Sequence, residues 1–322
     1  MAAETGSSLR VFVAGATGAI GRPLVAALLR AGHEVTAMTR SPEKAGSLEA
    51  AGAMPVVCDA LDRQAVERAV ASSRPEVVVH ELTELPERYS RLRKEADATN
   101  RLRSEGTRNL VEAALGHGAR RLVAQSVAFL YAPEGGPIKD EAARPWTVAP
   151  APFDGVVAAL LELERTVMGA GAAGLDGLIL RYGALYGPGT WYARDGDIAE
   201  QVRRRRYPLI GGGGGLISWL HVEDAAGATV AAVQDGPPGI YNVVDDAPVA
   251  YREWLPAYAR LLGAPAPRRV PAWLARLAAG PLAVSVVTEQ RGASNRAATR
   301  ELGWRPRHPG WRQGFAESLR PS

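Results

Sequence analysis

Residues 9–21 read LRVFVAGATGAIG, and this stretch decides the fold. Leu9 to Ala14 is a short apolar run that ends in glycine, so it predicts a buried strand. The residues that follow, RPLVAALLR, carry apolar side chains at helical spacing and predict an amphipathic helix. Between strand and helix stand Gly15, Gly18 and Gly21. Glycines so placed predict a dinucleotide-binding turn. Gly15 permits the tight turn, Gly18 admits a pyrophosphate to the backbone, and Gly21 lets helix and strand pack closely. The turn through Ala16, Thr17, Ala19 and Ile20 brings the anion to the free N–H groups of the helix N-terminus.

Outward from this turn, strand-like and helix-like segments alternate. EVTAMTR, MPVVCD, PEVVVH, RRLVAQS and LDGLILRYG read as strands two to six. Helical patterns separate them, including one long helix expected from about Tyr89 to Gly116 and another beginning near Phe153. Strands apolar on both faces argue a parallel sheet covered by helices. After Tyr182 the alternation breaks into loops, one helix (VEDAAGATVAAVQ), one further short strand (GIYNVV) and a tail rich in Trp, Pro and Arg. The expectation is an α/β, Rossmann-type doubly wound sheet over residues 1–181 and 220–245. A smaller C-terminal substrate lobe would take 182–219 and 246–322.

The end of the second strand bears on the cofactor. An NAD site usually places Asp or Glu there to hold the ribose hydroxyls. This chain has Arg40, with Lys44 one turn later, and no acid until Glu43. Both cations suit a 2′-phosphate, so NADP(H) is expected over NAD(H).

Composition narrows the class. Of 322 residues, 47% are apolar and 22% charged, as in ordinary globular proteins. No apolar run reaches the length of a membrane span. The start MAAETGSSLR has neither a basic end nor an apolar core, so no leader peptide is expected. Cys58 is the only cysteine, which excludes an internal disulfide and suits a reducing cytoplasm. Arg203 to Arg206 form the one dense basic run. It reads as a solvated helix end, since interleaved aromatics and a wide basic face are lacking, and no nucleic-acid partner is expected. No His, Cys, Asp or Glu cluster has metal-ligand spacing.

These segments resemble the extended short-chain dehydrogenase/reductases, the NAD-dependent epimerase/dehydratase family. CDALD resembles its segment after the third strand, which implies Asp59, Ala60 and Leu61 beside the adenine. VVVHELTE resembles its fourth strand, with Leu82 and Thr83 along the phosphates and ribose. TNRLRSEGTRNLVEAA resembles the helix with a structural asparagine, here Asn100. RYGALYGPGT resembles the stretch flanking the nicotinamide, which implies Tyr182, Gly183 and Leu185. WLHVEDAAGA and RELGWRPR resemble later landmarks. The family also implies a homodimer through the long helices.

The resemblance further implies a Tyr and a Lys four residues apart on one helix, sharing a face, and a Ser or Thr on the preceding loop. The Tyr would exchange the proton while hydride moves. Here Phe153 and Val157 stand at the Tyr and Lys positions, and Val127 at the Ser position, four residues before Tyr131. The remaining candidates for a chemical role are Ser126, Tyr131 and Tyr186, with Ser126 also facing the cofactor in the family pattern. Tyr182, Tyr192 and Asp154 are weaker candidates, and His221 reads as structural. Sugar-nucleotide members usually carry an Arg four residues before the His of HVED, but Ile217 stands there. Phe129, Phe153, Trp191, Tyr192 and Trp219 would line an apolar, aromatic pocket. The expected function is an NADP(H)-dependent oxidoreductase acting on a small hydrophobic or aromatic metabolite, in secondary metabolism, with a replaced catalytic set. The alternatives are a redox-neutral epimerase, dehydratase or lyase with bound cofactor, and a non-enzymatic NADP(H) sensor.

Overall fold

A computed structural model describes residues 8–92 and 94–320. Residues 1–7, part of the segment read as free of a leader, lie outside the described residues. Seven strands form the central sheet: β1 (Arg10–Ala14), β2 (Glu34–Thr39), β3 (Met54–Val57), β4 (Val77–His80), β5 (Arg121–Val127), β6 (Asp176–Tyr182) and β7 (Gly239–Val243). Their order is β7-β6-β5-β4-β1-β2-β3, and every pairing is parallel. The order reverses beside β1, which has β2 on one side and β4 on the other. In open α/β sheets such a switch point opens the crevice that receives ligands at the strands' carboxyl ends.

Among the described residues, six α-helices lie between β1 and β6: α1 (Gly21–Arg30), α2 (Pro42–Ala50), α3 (Arg63–Ser73), α4 (Ala96–Arg101), α5 (Thr107–Gly116) and α6 (Phe153–Gly169). The two-residue period of β1 divides the core between the sheet's faces. Val11 and Val13 pack with Leu24 and Leu28 of α1 and with Ala225 and Ala228 of the helix Val222–Gln234. Phe12 and Ala14 pack with Leu110, Leu122 and Leu163 on the other face. Turn chemistry sets the helix starts. Pro42 sits in the first turn of α2, and Asp62 caps α3 by accepting the Ala65 N–H at 3.0 Å.

The long helix expected from Tyr89 to Gly116 is not continuous. It resolves into a 3₁₀ turn (Tyr89–Arg91), α4, a π-helical turn (Leu102–Gly106) and α5. A buried tie sits at this break. Thr107 Oγ1 donates to the Arg103 carbonyl at 2.6 Å and lies 2.9 Å from His80 Nε2 at the end of β4. His80 Nδ1 accepts the Leu82 N–H, so Nε2 carries the ring proton and donates to Thr107.

The tail builds its own aromatic core. Tyr186, Trp219, Trp254, Tyr258 and Phe315 are all fully buried and meet ring to ring. GIYNVV, expected as a further short strand within the 220–245 part of the Rossmann sheet, lies in the main sheet as β7 beside β6.

A polar network runs through the interior. Arg181 on β6 donates from Nε to Glu164 Oε1 at 2.8 Å and from Nη2 to Glu164 Oε2 at 2.6 Å. Both side chains are about 5% exposed. Ser126 donates to the same Glu164 oxygen at 2.7 Å. Arg181 Nη1 donates to the Tyr131 hydroxyl at 3.0 Å, and Tyr131 donates to Asn242 Oδ1 at 2.6 Å. The network joins α6 to β5, β6 and β7. Removing one member of a buried pair leaves an uncompensated charge, which typically costs about 3–5 kcal/mol. Glu164→Ala is therefore expected to lower unfolding free energy by about that amount in urea titration, and Glu164→Leu with Arg181→Met to recover much of the loss.

Candidate active site

The phosphate turn is built by contact as much as by flexibility. Gly15 has φ +95°, and a Cβ there would stand 2.6 Å from the Glu81 carbonyl oxygen. A Cβ on Gly21 would stand 2.1 Å from the Gly15 carbonyl oxygen. Gly21 therefore packs against the turn itself. The Gly18 N–H closes the turn on Gly15 O at 3.1 Å. No side chain caps α1, whose N-cap residue is Ile20. An uncapped helix start at the switch point, in a turn made largely of glycine, alanine and threonine, fits the pyrophosphate of a dinucleotide.

Around that turn the expected adenosine residues are brought together. Arg40 directly follows β2 and meets Glu84. The Ser41 hydroxyl, at the N-cap of α2, caps no backbone N–H and instead holds the nearby Glu43 carboxyl below the usual carboxylate range. Lys44 lies exposed on α2. Asp59 Oδ1 accepts the Leu61 N–H at 3.0 Å, and the Ala60 carbonyl accepts from Asn109. Leu82 is half-buried and Thr83 exposed beyond β4. Asn100 is placed differently. It lies with Gly155, Ala158, Glu162 and Arg165 in an outward groove between α4 and α6, where its Oδ1 accepts from Arg103 at 3.2 Å.

The residues proposed for proton transfer are not brought together. Ser126 and Tyr131 are buried and committed to the Glu164–Arg181 network. Tyr186 is fully buried and stacked on Phe315 at 4.3 Å between ring centroids. A Cβ on Gly314 would stand 1.8 Å from its hydroxyl, so the hydroxyl points into the C-terminal helix Trp311–Ser318. Tyr182 faces away as well, reaching Glu81 Oε1 at 2.9 Å and Thr229 Oγ1 at 2.6 Å. Gly183 passes close to Ser218, whose carbonyl oxygen a Cβ would approach to 2.6 Å, and Leu185 is half-buried beside α1's core.

The positions matching the family's catalytic set are apolar in fact. Val157 is fully buried, and Val127 is half-buried against Leu130 and Val244. Phe153 opens α6 and packs on Phe129 (6.4 Å, stacked) and on Trp146 (6.2 Å, edge-on). All three rings are half-buried. Trp191 and Tyr192 are half-buried too, with Trp191 Nε1 donating to the Pro86 carbonyl at 2.9 Å. Trp219 is a correction: it is fully enclosed by Tyr186, Tyr192, Trp254 and Phe315, so it is lobe core and offers no face to a pocket.

Three residues escaped sequence reasoning: Trp146, Glu81 and Glu84. Trp146 sits in an irregular loop with no period to betray it. Glu81 follows the apolar run of β4 and turns inward. Burial pushes its carboxyl up to about 8, and its Oε2 has no partner. In the folded protein Glu81 holds a proton that the unfolded chain releases near the ordinary glutamate value of 4.5. Stability from this group is thus full below that value and is lost as pH rises towards about 8. Glu81→Gln is expected to match the wild type near pH 5 and to be more stable by at least about 1 kcal/mol at pH 8.5 in urea unfolding. Equal stability of the two proteins at pH 8.5 would refute the buried neutral acid.

The model of the NAD dependent epimerase/dehydratase family matches residues 11–243. A Streptomyces protein named 3-diazoavenalumate denitrifying reductase is 50% identical over 315 residues, covering 95% of this chain and 99% of that protein. A Stigmatella aurantiaca protein, named as a ketoreductase of a 4-hydroxy-2-methyl-3-oxo-4-farnesyl-3,4-dihydroquinoline-1-oxide, is 28% identical over 77% of this chain and 71% of its own. Among solved structures, the Thermus thermophilus UDP-glucose 4-epimerase in complex with NAD superposes with a TM-score of 0.75. It is 26% identical and covers 96% of this chain and 97% of its own.

Proposed function

The chain belongs to the NAD-dependent epimerase/dehydratase family and is an NAD(P)-dependent enzyme, and from that premise we propose that it transfers hydride from NADPH to an aromatic electrophile that requires no proton, an aryldiazonium ion. One observation carries this reading. At the positions of the family's Ser, Tyr and Lys stand Val127, Phe153 and Val157; the hydroxyls of Ser126 and Tyr131 are tied into the interior, and that of Tyr186 is buried against the C-terminal helix.

Reducing a ketone needs hydride on carbon and a proton on oxygen, and a positioned acid is typically worth 10²–10⁴-fold. Reducing an aryldiazonium needs hydride alone. The ring carbon gains a C–H bond, the C–N bond breaks, and its electron pair leaves with N₂. NADPH and ArN₂⁺ become NADP⁺, ArH and N₂, with charge and atoms balanced and no proton consumed. The nicotinamide supplies the hydride when bound. The chain's own residues hold and screen the acceptor. Phe129, Trp146 and Phe153 offer ring faces to an aromatic cation, an attraction of about 0.5–2 kcal/mol. Val157 removes the positive charge that a Lys would set against that cation. Trp191 and Tyr192 extend the wall. The diazo substrate named for the 50%-identical Streptomyces reductase supports the same chemistry.

The cofactor preference follows from Arg40, with Lys44 and the Ser41 hydroxyl beside it, which together suit a 2′-phosphate. The outward groove along α4 and α6 is the surface for a homodimer. Among the described residues no helix is long and apolar enough to cross a membrane. With Cys58 free and buried, the reading places the enzyme in the reducing cytoplasm, without nucleic-acid or metal partners.

Two outcomes are expected. With NADPH, aryldiazonium salts should release N₂ and NADP⁺ in equal amounts above the enzyme-free rate, and ketones should turn over at least about 100-fold more slowly. Faster ketone turnover would reverse the assignment. Arg40→Asp should weaken NADPH binding at least about tenfold more than NADH binding, since it sets a carboxylate against the 2′-phosphate. Equal losses would remove the NADP(H) preference.

A further inference from the structure

Arg40 is already occupied. Its Nη1 lies 2.9 Å from Glu84 Oε2, with the two side chains 52% and 42% exposed. The strand order gives this pair its meaning. Arg40 follows β2 and Glu84 follows β4, and these strands flank β1 on opposite sides. The ion pair therefore reaches across the carboxyl end of β1, where the phosphate turn begins. Glu84 is held there by its main chain. Its N–H donates to Thr99 Oγ1 at 3.0 Å, and the same buried hydroxyl donates to the Glu84 carbonyl at 2.8 Å. Asp59 adds a second carboxylate within the field of Arg40, and together the two acids strengthen the guanidinium's hold on its proton.

We propose that Glu84 is a cofactor-selectivity residue: it occupies Arg40 across the nucleotide cleft and must be displaced by the 2′-phosphate of NADP(H). The discrimination between NADPH and NADH is then set by the Arg40–Glu84 pair, and Glu84 moderates a preference that Arg40 alone would make stronger. NADH brings no 2′-phosphate, so it does not compete for the guanidinium. This inference rests on the reading of Arg40 as the 2′-phosphate ligand.

Fluorescence titration of the full-length protein with NADPH and NADH tests it. Glu84→Gln keeps the side chain's size and removes its charge. It should tighten NADPH about three- to tenfold, the order expected when a competing half-exposed carboxylate is removed, and leave NADH within about twofold. In an Arg40→Ala background the same change should give no gain. Unchanged or weaker NADPH binding by Glu84→Gln would overturn the proposal, as would equal tightening of both cofactors, which would place Glu84 against the shared pyrophosphate. If Arg40→Ala weakens NADPH while Glu84→Gln changes nothing, the 2′-phosphate reading stands and the role of Glu84 falls. If Arg40→Ala leaves NADPH unaffected, both fall. Matched melting temperatures exclude a folding defect, and the Glu84 backbone ties to Thr99 do not depend on its carboxylate.

Discussion

The buried pair of Arg181 and Glu164 constrains everything around the site. Two charges held in the interior demand full hydrogen bonding, and this pair takes it from Ser126 and Tyr131. That demand seats α6 against β5 and β6, and so fixes where Phe153 and Val157 stand. It also consumes the two hydroxyls that could otherwise have replaced a lost acid. On the proposed reading, the same network that makes the scaffold specific keeps these two hydroxyls from serving as the acid.

An aprotic site is a defect only for a reaction that needs a proton. Carbonyl reduction does, and the family's Tyr–Lys arrangement answers it. Displacement of N₂ by hydride does not, and a lysine ammonium would oppose a cationic acceptor. On the proposed reading, Phe153 and Val157 are replacements suited to a different electrophile, and Phe153 packs with Trp146 and Phe129. On the cofactor side, the buried Glu81 keeps its proton near neutrality, so the ground beneath the phosphate turn carries little negative charge.

Much of the fold was legible because it is written in periods. The short apolar run of β1 and the glycine spacing at 15, 18 and 21 identified the first βαβ unit, and the strand rhythm up to Tyr182 extended it. The π-helical turn at Leu102–Gly106 was not legible, because the Thr107 tie to Arg103 and His80 depends on a tertiary partner. The apolar residues at 127, 153 and 157 were visible through the resemblance to the family's pattern. Their consequence was not, since the fate of Ser126 and Tyr131 is decided by Glu164 and Arg181, distant in sequence. Tyr186 and Trp219 misled for a related reason: aromatic residues on a family landmark look alike in sequence whether they face a cleft or a core. Gly314, which makes room for the Tyr186 hydroxyl, lies more than a hundred residues away.

The central claim is that hydride arrives without a partner proton. Single-turnover reaction of an aryldiazonium with NADPH deuterated at the nicotinamide C4, in ordinary water, tests it most directly. The account predicts deuterium at the ring carbon that carried nitrogen, complete transfer with the reactive C4 epimer, and no change in rate when the solvent is D₂O. Protium from water at that carbon, or a solvent isotope effect on the chemical step, would contradict it.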